Sequence, residues 1–255
     1  MRVLLLTHNV AGIFDDPDEA LRRLATDDLH PLGWITSASN GTMLCRLGDP
    51  ADELYAVHKP EVGERPLWDF PDGTLHRREV ATILVSDFLG WDLVPPTVLR
   101  EGPEGSGSLQ LFVPHDPAEH YFALVEDARW HVPLARLAMF DFLTNNADRK
   151  GGHVLRRRDT DHLYGIDNGL TFHVEEKIRT VVWDIAHIPF DVAWADDLRR
   201  LQGALEPGEA LRAALCELLA PVEVDVLAGR AEVVAGLDAV PVIDPEDRHY
   251  PWPPL

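Results

Sequence analysis

A lysine, a glutamate and two aspartates stand in this chain in settings that suit the handling of phosphate. Lys59 ends a strand-like run, LYAVHK, and Glu79 lies twenty residues on, within a helical pattern. Asp148 sits in NNADRKGGHVL, and Asp167 in YGIDNGLTF. Upstream of all four, SASNGT joins two strand-like pieces with small residues. Transfer of a phosphoryl group from a nucleotide needs such a set. A small-residue loop lets backbone N–H groups approach phosphates, and a lysine neutralises their charge while a helix glutamate holds it. One aspartate orients the acceptor hydroxyl and the other binds a metal ion. The glycine pair in DRKGGH adds the freedom to turn beside the phosphates.

The elements that position these residues are legible from periodicity. Residues 14–30 read as a short leading helix, followed by strands at Leu32–Thr36, Thr42–Leu47 and Leu54–His58. PEVGERPLWDFPDG is a loop, and Thr74–Leu89 a helix closed by Gly90. Val94–Leu99 and Leu109–Val113 are two more strands, with GPEGSGS as the turn between them. From residue 132 onward helices dominate. Pro133–Leu143 comes first, then a short hairpin at Val154–Arg157 and His162–Ile166, then two or three helices between Trp194 and Leu237 broken at GALEPGE and APVE. The tail EDRHYPWPPL is too rich in proline for a helix and is expected to pack through Tyr250 and Trp252. This order predicts an α+β fold of two lobes: a sheet-bearing lobe over 1–113 and a mainly helical lobe over 114–255. The site is expected between them.

Four segments together resemble a known family: SASNGT, AVHKP, GSLQLFV, and the pair NNADRKGGHVL with YGIDNGLTF, spanning residues 37–172. They resemble the phosphatidylinositol 3-/4-kinase family of the protein-kinase-like fold, and in motifs most of all the type II phosphatidylinositol 4-kinases. The resemblance points to actinobacterial proteins of similar size and unsettled substrate as relatives. It implies ATP with Mg²⁺ or Mn²⁺ as cofactors and a hydroxyl-bearing acceptor as the second substrate. By the same resemblance Ser39, Asn40 and Gly41 cover the phosphates, and Lys59 contacts them and pairs with Glu79. Backbone around Phe112 and Val113 binds adenine. Asp148 is the catalytic-loop acid and Asp167 the principal metal ligand, while Asn168 and Gly169 replace the Phe-Gly of protein kinases. His153 stands where the family carries a second metal-binding asparagine. Imidazole suits later transition metals better than Mg²⁺, so this departure implies unusual tolerance of Mn²⁺.

Composition limits the partners. The 255 residues are 45% hydrophobic and 26% charged, as in an ordinary globular protein. A formal charge of −20 argues against a protein that coats nucleic acid or an anionic membrane. No run reaches the roughly 18 apolar residues of a membrane span, so no stable membrane insertion is expected. Cys45 and Cys216 read as free thiols of a cytoplasmic protein. Of 23 basic residues only Lys59, Lys150 and Lys177 are lysines, and the first two fall inside the motifs. Lys177 and Arg179 lie in the segment expected to line the acceptor site. Read singly, Lys59 is a strand-end surface lysine, Glu79 a solvated helix residue, and His153 a ligand or a structural histidine. His58 reads as structural, and Trp183, Trp194 and Trp252 as packing. The set as a whole supports an ATP-dependent kinase; the other readings are a nucleotide-holding pseudokinase and a transferase of AMP.

Overall fold

Along Leu54–Pro60 buried and half-buried residues alternate, which places Leu54, Ala56 and His58 on one face of a strand and Tyr55, Val57 and Lys59 on the other. In the computed structural model of the chain this strand, β3, is the middle of five. Residues 16–35, 41–49, 54–186, 188–242 and 249–255 are described. The sheet is antiparallel in the order β1-β2-β3-β5-β4, from β1 (Leu29–Trp34), β2 (Met43–Leu47), β4 (Thr97–Gly102) and β5 (Gly105–Leu111). The leading helix α1 (Pro17–Thr26) is shorter than its periodicity suggests, because Leu29 already pairs with Leu47 in the sheet. Asp16 caps it, accepting from the N–H groups of Asp18 and Glu19.

The stretch GPEGSGS is not a loop. Gly105–Ser108 are strand residues, and only Pro103 and Glu104 turn. Gly105, at φ 96°, serves that turn, whereas the other two glycines serve close approach. A side chain on Gly107 would come within 2.8 Å of the His58 ring, and Gly102 lies against the same ring. The strand before the turn starts at Thr97 rather than Val94, since Pro95 and Pro96 cannot donate to a ladder.

Helix α2 (Leu75–Leu89) ends at Gly90, whose φ of 70° supplies the left-handed cap. It is buried on nearly every side, polar residues Arg78, Glu79, Thr82 and Ser86 included. The helical half follows: α3 (Tyr121–Leu124), α4 (His131–Thr144), α5 (Val192–Ala204), α6 (Ala210–Cys216) and α7 (Pro221–Ala235), with the hairpin β6 (Val154–Arg156) and β7 (Leu163–Gly165). The mixed architecture is α+β, a sheet-bearing part followed by a helical one.

Two large apolar clusters fill the molecule. The smaller joins α1 to the sheet through Ala20, Leu24, Leu54, Ala56, Leu109 and Leu111, and reaches Leu155 and Tyr164 of the hairpin. The larger gathers the helices, Trp91, Trp183 and Trp194 among its members. The tail departs from expectation. Trp252 is 89% exposed and Tyr250 46%; Pro251 is the buried residue, and backbone carbonyls make the attachments. Among the described residues no helix is long and apolar enough to cross a membrane.

Candidate active site

Three elements deliver one chain of charges. The Nζ of Lys59, at the end of β3, donates to Oε1 of Glu79 on α2 and, at 2.9 Å, to Oδ1 of Asp167 in the loop after β7. The other oxygen of Glu79 accepts the backbone N–H of Asn168 at 3.0 Å. Both carboxylate oxygens of a buried glutamate are therefore satisfied, as burial requires. Desolvation works against the Lys59 charge, but Asp167 and Glu79 outweigh it and hold the amine above its ordinary range. The Lys59 charge in turn holds the Asp167 carboxyl well below the usual carboxylate range. Asp167 has φ 59°, a left-handed backbone that a non-glycine residue adopts at a cost and that clusters at functional sites.

The NNADRKGGH motif resolves residue by residue. Asn145 closes α4 in the left-handed conformation (φ 55°), and its side chain donates to the carbonyls of His173 and Glu175. Asn146 Oδ1 accepts the N–H of Asp148 at 3.0 Å. Arg149 is wholly buried. It forks onto Asp141 of α4, donates to the Ile166 carbonyl at 2.6 Å, and reaches Asn168 Oδ1 at 2.6 Å. One guanidinium thus ties the loop of Asp148 to the loop of Asp167, with a planar donor array a lysine does not have. Lys150 pairs with Asp148 at 3.1 Å. Burial nevertheless pushes the Asp148 carboxyl up, against the pull of Lys150. The N–H of Gly151 is held by the carbonyl of Pro254 at 2.7 Å.

His153 Nε2 lies 3.2 Å from Oδ2 of Asp167. Its Nδ1 is 3.1 Å from the Asp148 carbonyl. The Lys150 N–H also points at Nδ1, at 3.4 Å, so a proton on Nε2 lets the ring accept that N–H and donate to Asp167, while a proton on Nδ1 satisfies the Asp148 carbonyl. Burial brings the imidazole down to about 4, so it is neutral at pH 7. Among the described residues no group of three or more His, Cys, Asp or Glu side chains is arranged to hold a metal.

Of the phosphate loop, Ser39 and Asn40 lie outside the described residues. Gly41 is placed, and its N–H donates to the Gly63 carbonyl at 3.1 Å. The two glycines touch backbone to backbone: a side chain on Gly63 would meet Gly41 atoms at 2.9–3.1 Å. Gly63 had no sequence signal beyond belonging to a loop. At the segment after β5 the Phe112 N–H is taken by the Tyr55 carbonyl, and the Val113 carbonyl accepts from His115. Lys177, expected to face an acceptor, is engaged by Asp69 at 3.1 Å and by Glu175, and lies over the Trp68 ring.

Sheet, helical body and a Lys–Glu–Asp chain between them define an α+β protein with a built polar site where the two parts meet. The chain belongs to the family of Protein Rv2133c from Mycobacterium tuberculosis (strain ATCC 25618 / H37Rv), to which it is 40% identical over 263 aligned positions covering 90% of this chain and 93% of that one. No protein-family model matches it. Among solved structures it is similar to that of the golgi casein kinase (TM-score 0.49, 16% identity, 86% of this chain and 75% of that one). It is also similar to the Helicobacter pylori proinflammatory kinase CtkA (TM-score 0.48, 12% identity, 86% and 95%).

Proposed function

We propose that the protein is a kinase-like phosphotransferase that moves the γ-phosphoryl group of ATP to a hydroxyl of an acceptor. The observation that carries this is the charge chain Glu79–Lys59–Asp167, drawn from three elements and joined through Arg149 to the loop of Asp148. A protein needing only a shape has no use for a lysine that two carboxylates hold charged.

In this reading Lys59 is presented, already charged and oriented by Glu79, to the phosphates of the nucleotide. The Gly41 backbone approaches them, with Gly63 behind it. Adenine meets the segment Phe112–Val113, where hydrogen bonds to Tyr55 and His115 leave the Val113 N–H facing no partner among the described residues. Asp167 and neutral His153 hold Mg²⁺ or Mn²⁺, which neutralises charge on the phosphates when bound. Asp148 accepts the proton of the acceptor hydroxyl as the oxygen attacks. Burial raises this carboxyl toward the range in which a base is effective at neutral pH, and such help accounts for roughly 10²–10⁴-fold in rate. The acceptor is a lipid headgroup, a small polyol or a protein hydroxyl, and the net charge of −20 weighs against the lipid.

Calorimetric titration with ATP, in Mg²⁺, in Mn²⁺ and in neither, tests the site. Metal-dependent binding that disappears in Asp167→Ala is expected, with Mn²⁺ favoured and the preference moving toward Mg²⁺ in His153→Asn. Absence of binding under every metal condition overturns the reading. Product mass then separates phosphate transfer from AMP transfer.

A further inference from the structure

The helix carrying Glu79 packs against β4 and β5 of the sheet and against α5 and α6 of the helical half. Its apolar side chains Ala81, Ile83, Val85 and Leu89 are members of the larger cluster that gathers the helices; none is in the cluster of the sheet. Strand register places the buried polar residues Thr97, Ser108 and Gln110, with the buried Leu44, on the sheet face that carries Lys59. Apolar burial is the adhesive term in packing, and these α2 side chains contribute it to the helical cluster.

One buried ion pair completes the attachment. Arg78, adjacent to Glu79, donates to Oε1 of Glu223 at 2.7 Å and to the Thr171 carbonyl at 2.7 Å, and its guanidinium lies 5.1 Å from the centre of the Phe70 ring. Arg78 is 1% exposed and Glu223 7%. The second oxygen of Glu223 accepts the Ala220 N–H at 2.9 Å, capping α7, so the carboxylate is fixed before it meets Arg78. Thr171 lies four residues beyond Asp167. The Arg78 guanidinium therefore joins α2, α7 and the Asp167 loop at a single point.

We infer that Glu223 and Arg78 are positioning residues for Glu79, tying α2 to α7 and to the Asp167 loop so that the Glu79 carboxylate is held where Lys59 meets it. The effect expected on nucleotide binding rests on the phosphotransferase reading; the attachment of α2 does not.

The test compares wild type, Glu223→Gln, and Arg78→Met/Glu223→Leu by thermal melting, by amide exchange of residues 75–89, and by titration with ATP and Mn²⁺. In wild type the α2 amides should exchange as slowly as those of α4 and α7, and more slowly than those of β1 and β2. Glu223→Gln leaves Arg78 charged without a counter-ion and should speed α2 exchange about tenfold or more, the weight of one hydrogen bond between charged groups. The apolar pair should restore melting, because a buried ion pair is often replaced by packed apolar groups without loss. Exchange of α2 should remain fast in it, and ATP should bind about tenfold more weakly through misplacement of Glu79. Wild-type exchange and affinity in the apolar pair, or unchanged exchange in Glu223→Gln, would each overturn the inference. Wild type that binds no ATP removes the phosphotransferase reading alone, and the exchange rates still decide how α2 is held.

Discussion

His58 and Lys59 are neighbours in sequence and opposites in environment. Lys59 faces two carboxylates, whereas His58 is wholly buried beneath Gly102 and Gly107, with neither ring nitrogen hydrogen-bonded among the described residues. Burial brings its pKa down to about 4 from the ordinary 6.5. The folded-state value is the lower one, so between these limits the unfolded chain binds a proton that the folded chain refuses. Stability from this group is fully present above about pH 6.5 and falls as pH drops toward 4. Each pH unit inside the window costs about 1.4 kcal/mol. His58→Leu fills a similar volume without a titrating group. Denaturant midpoints of the two proteins at pH 6.5 and pH 5 should therefore diverge, with wild type losing about 2 kcal/mol more than the variant over the 1.5 units. Parallel losses would mean that His58 titrates normally in the fold.

At the scale of elements, the loop between β3 and α2 contributes more than its composition suggests. Gly63, in the 3-10 turn Glu61–Gly63, accepts the Gly41 N–H and leaves no room for a side chain. Gly63→Ala should push the Gly41 backbone outward while leaving both apolar clusters untouched. ATP affinity should fall about tenfold, by loss of one backbone contact to phosphate, with little change in melting temperature. A large fall in melting with unchanged affinity would place Gly63 in folding instead. That such a residue was not legible in the sequence has a physical cause. Lys59, Glu79, Asp148 and Asp167 each sit at a recognisable point of a strand, helix or motif, and the α2 periodicity and its Gly90 cap are local signals. Close backbone approach leaves no local mark, and Gly102 and Gly107 of GPEGSGS read as turn residues when they clear space for His58. The Arg78–Glu223 pair is equally silent, since its partners are 145 residues apart and only tertiary packing joins them. Arg149 was in plain view within the motif, but its partner Asp141 reads as one polar residue in a helix until the fold turns it inward.

At the scale of the whole molecule, segments from both ends of the described chain close on other elements. Helix α1 covers one face of the sheet, and the 249–255 segment crosses the helical body to the loop of Asp148. Its attachment is through backbone: the His249 carbonyl accepts from the Thr180 N–H at 2.9 Å and from the Trp183 indole at 3.1 Å, and the Pro254 carbonyl accepts from Gly151. Prolines suit this purpose, because they fix φ and carry no N–H that would need a partner. Gly151 lies three residues beyond Asp148 and two before His153, so the strap steadies the turn that connects them. The groups proposed to meet the nucleotide are secured elsewhere, by Glu79 on Lys59 and by Arg149 on the Asp167 loop. Removal of Pro254 and Leu255 should therefore separate binding from chemistry. ATP affinity should stay within about twofold of wild type, the scatter of a surface change. Turnover of ATP, by transfer or by slow hydrolysis, should fall about 10- to 100-fold through misplacement of Asp148. Equal losses in affinity and turnover would show instead that the strap supports the nucleotide cleft as a whole, and unchanged turnover would show that the Gly151–Pro254 bond does not steady the loop in which Asp148 acts.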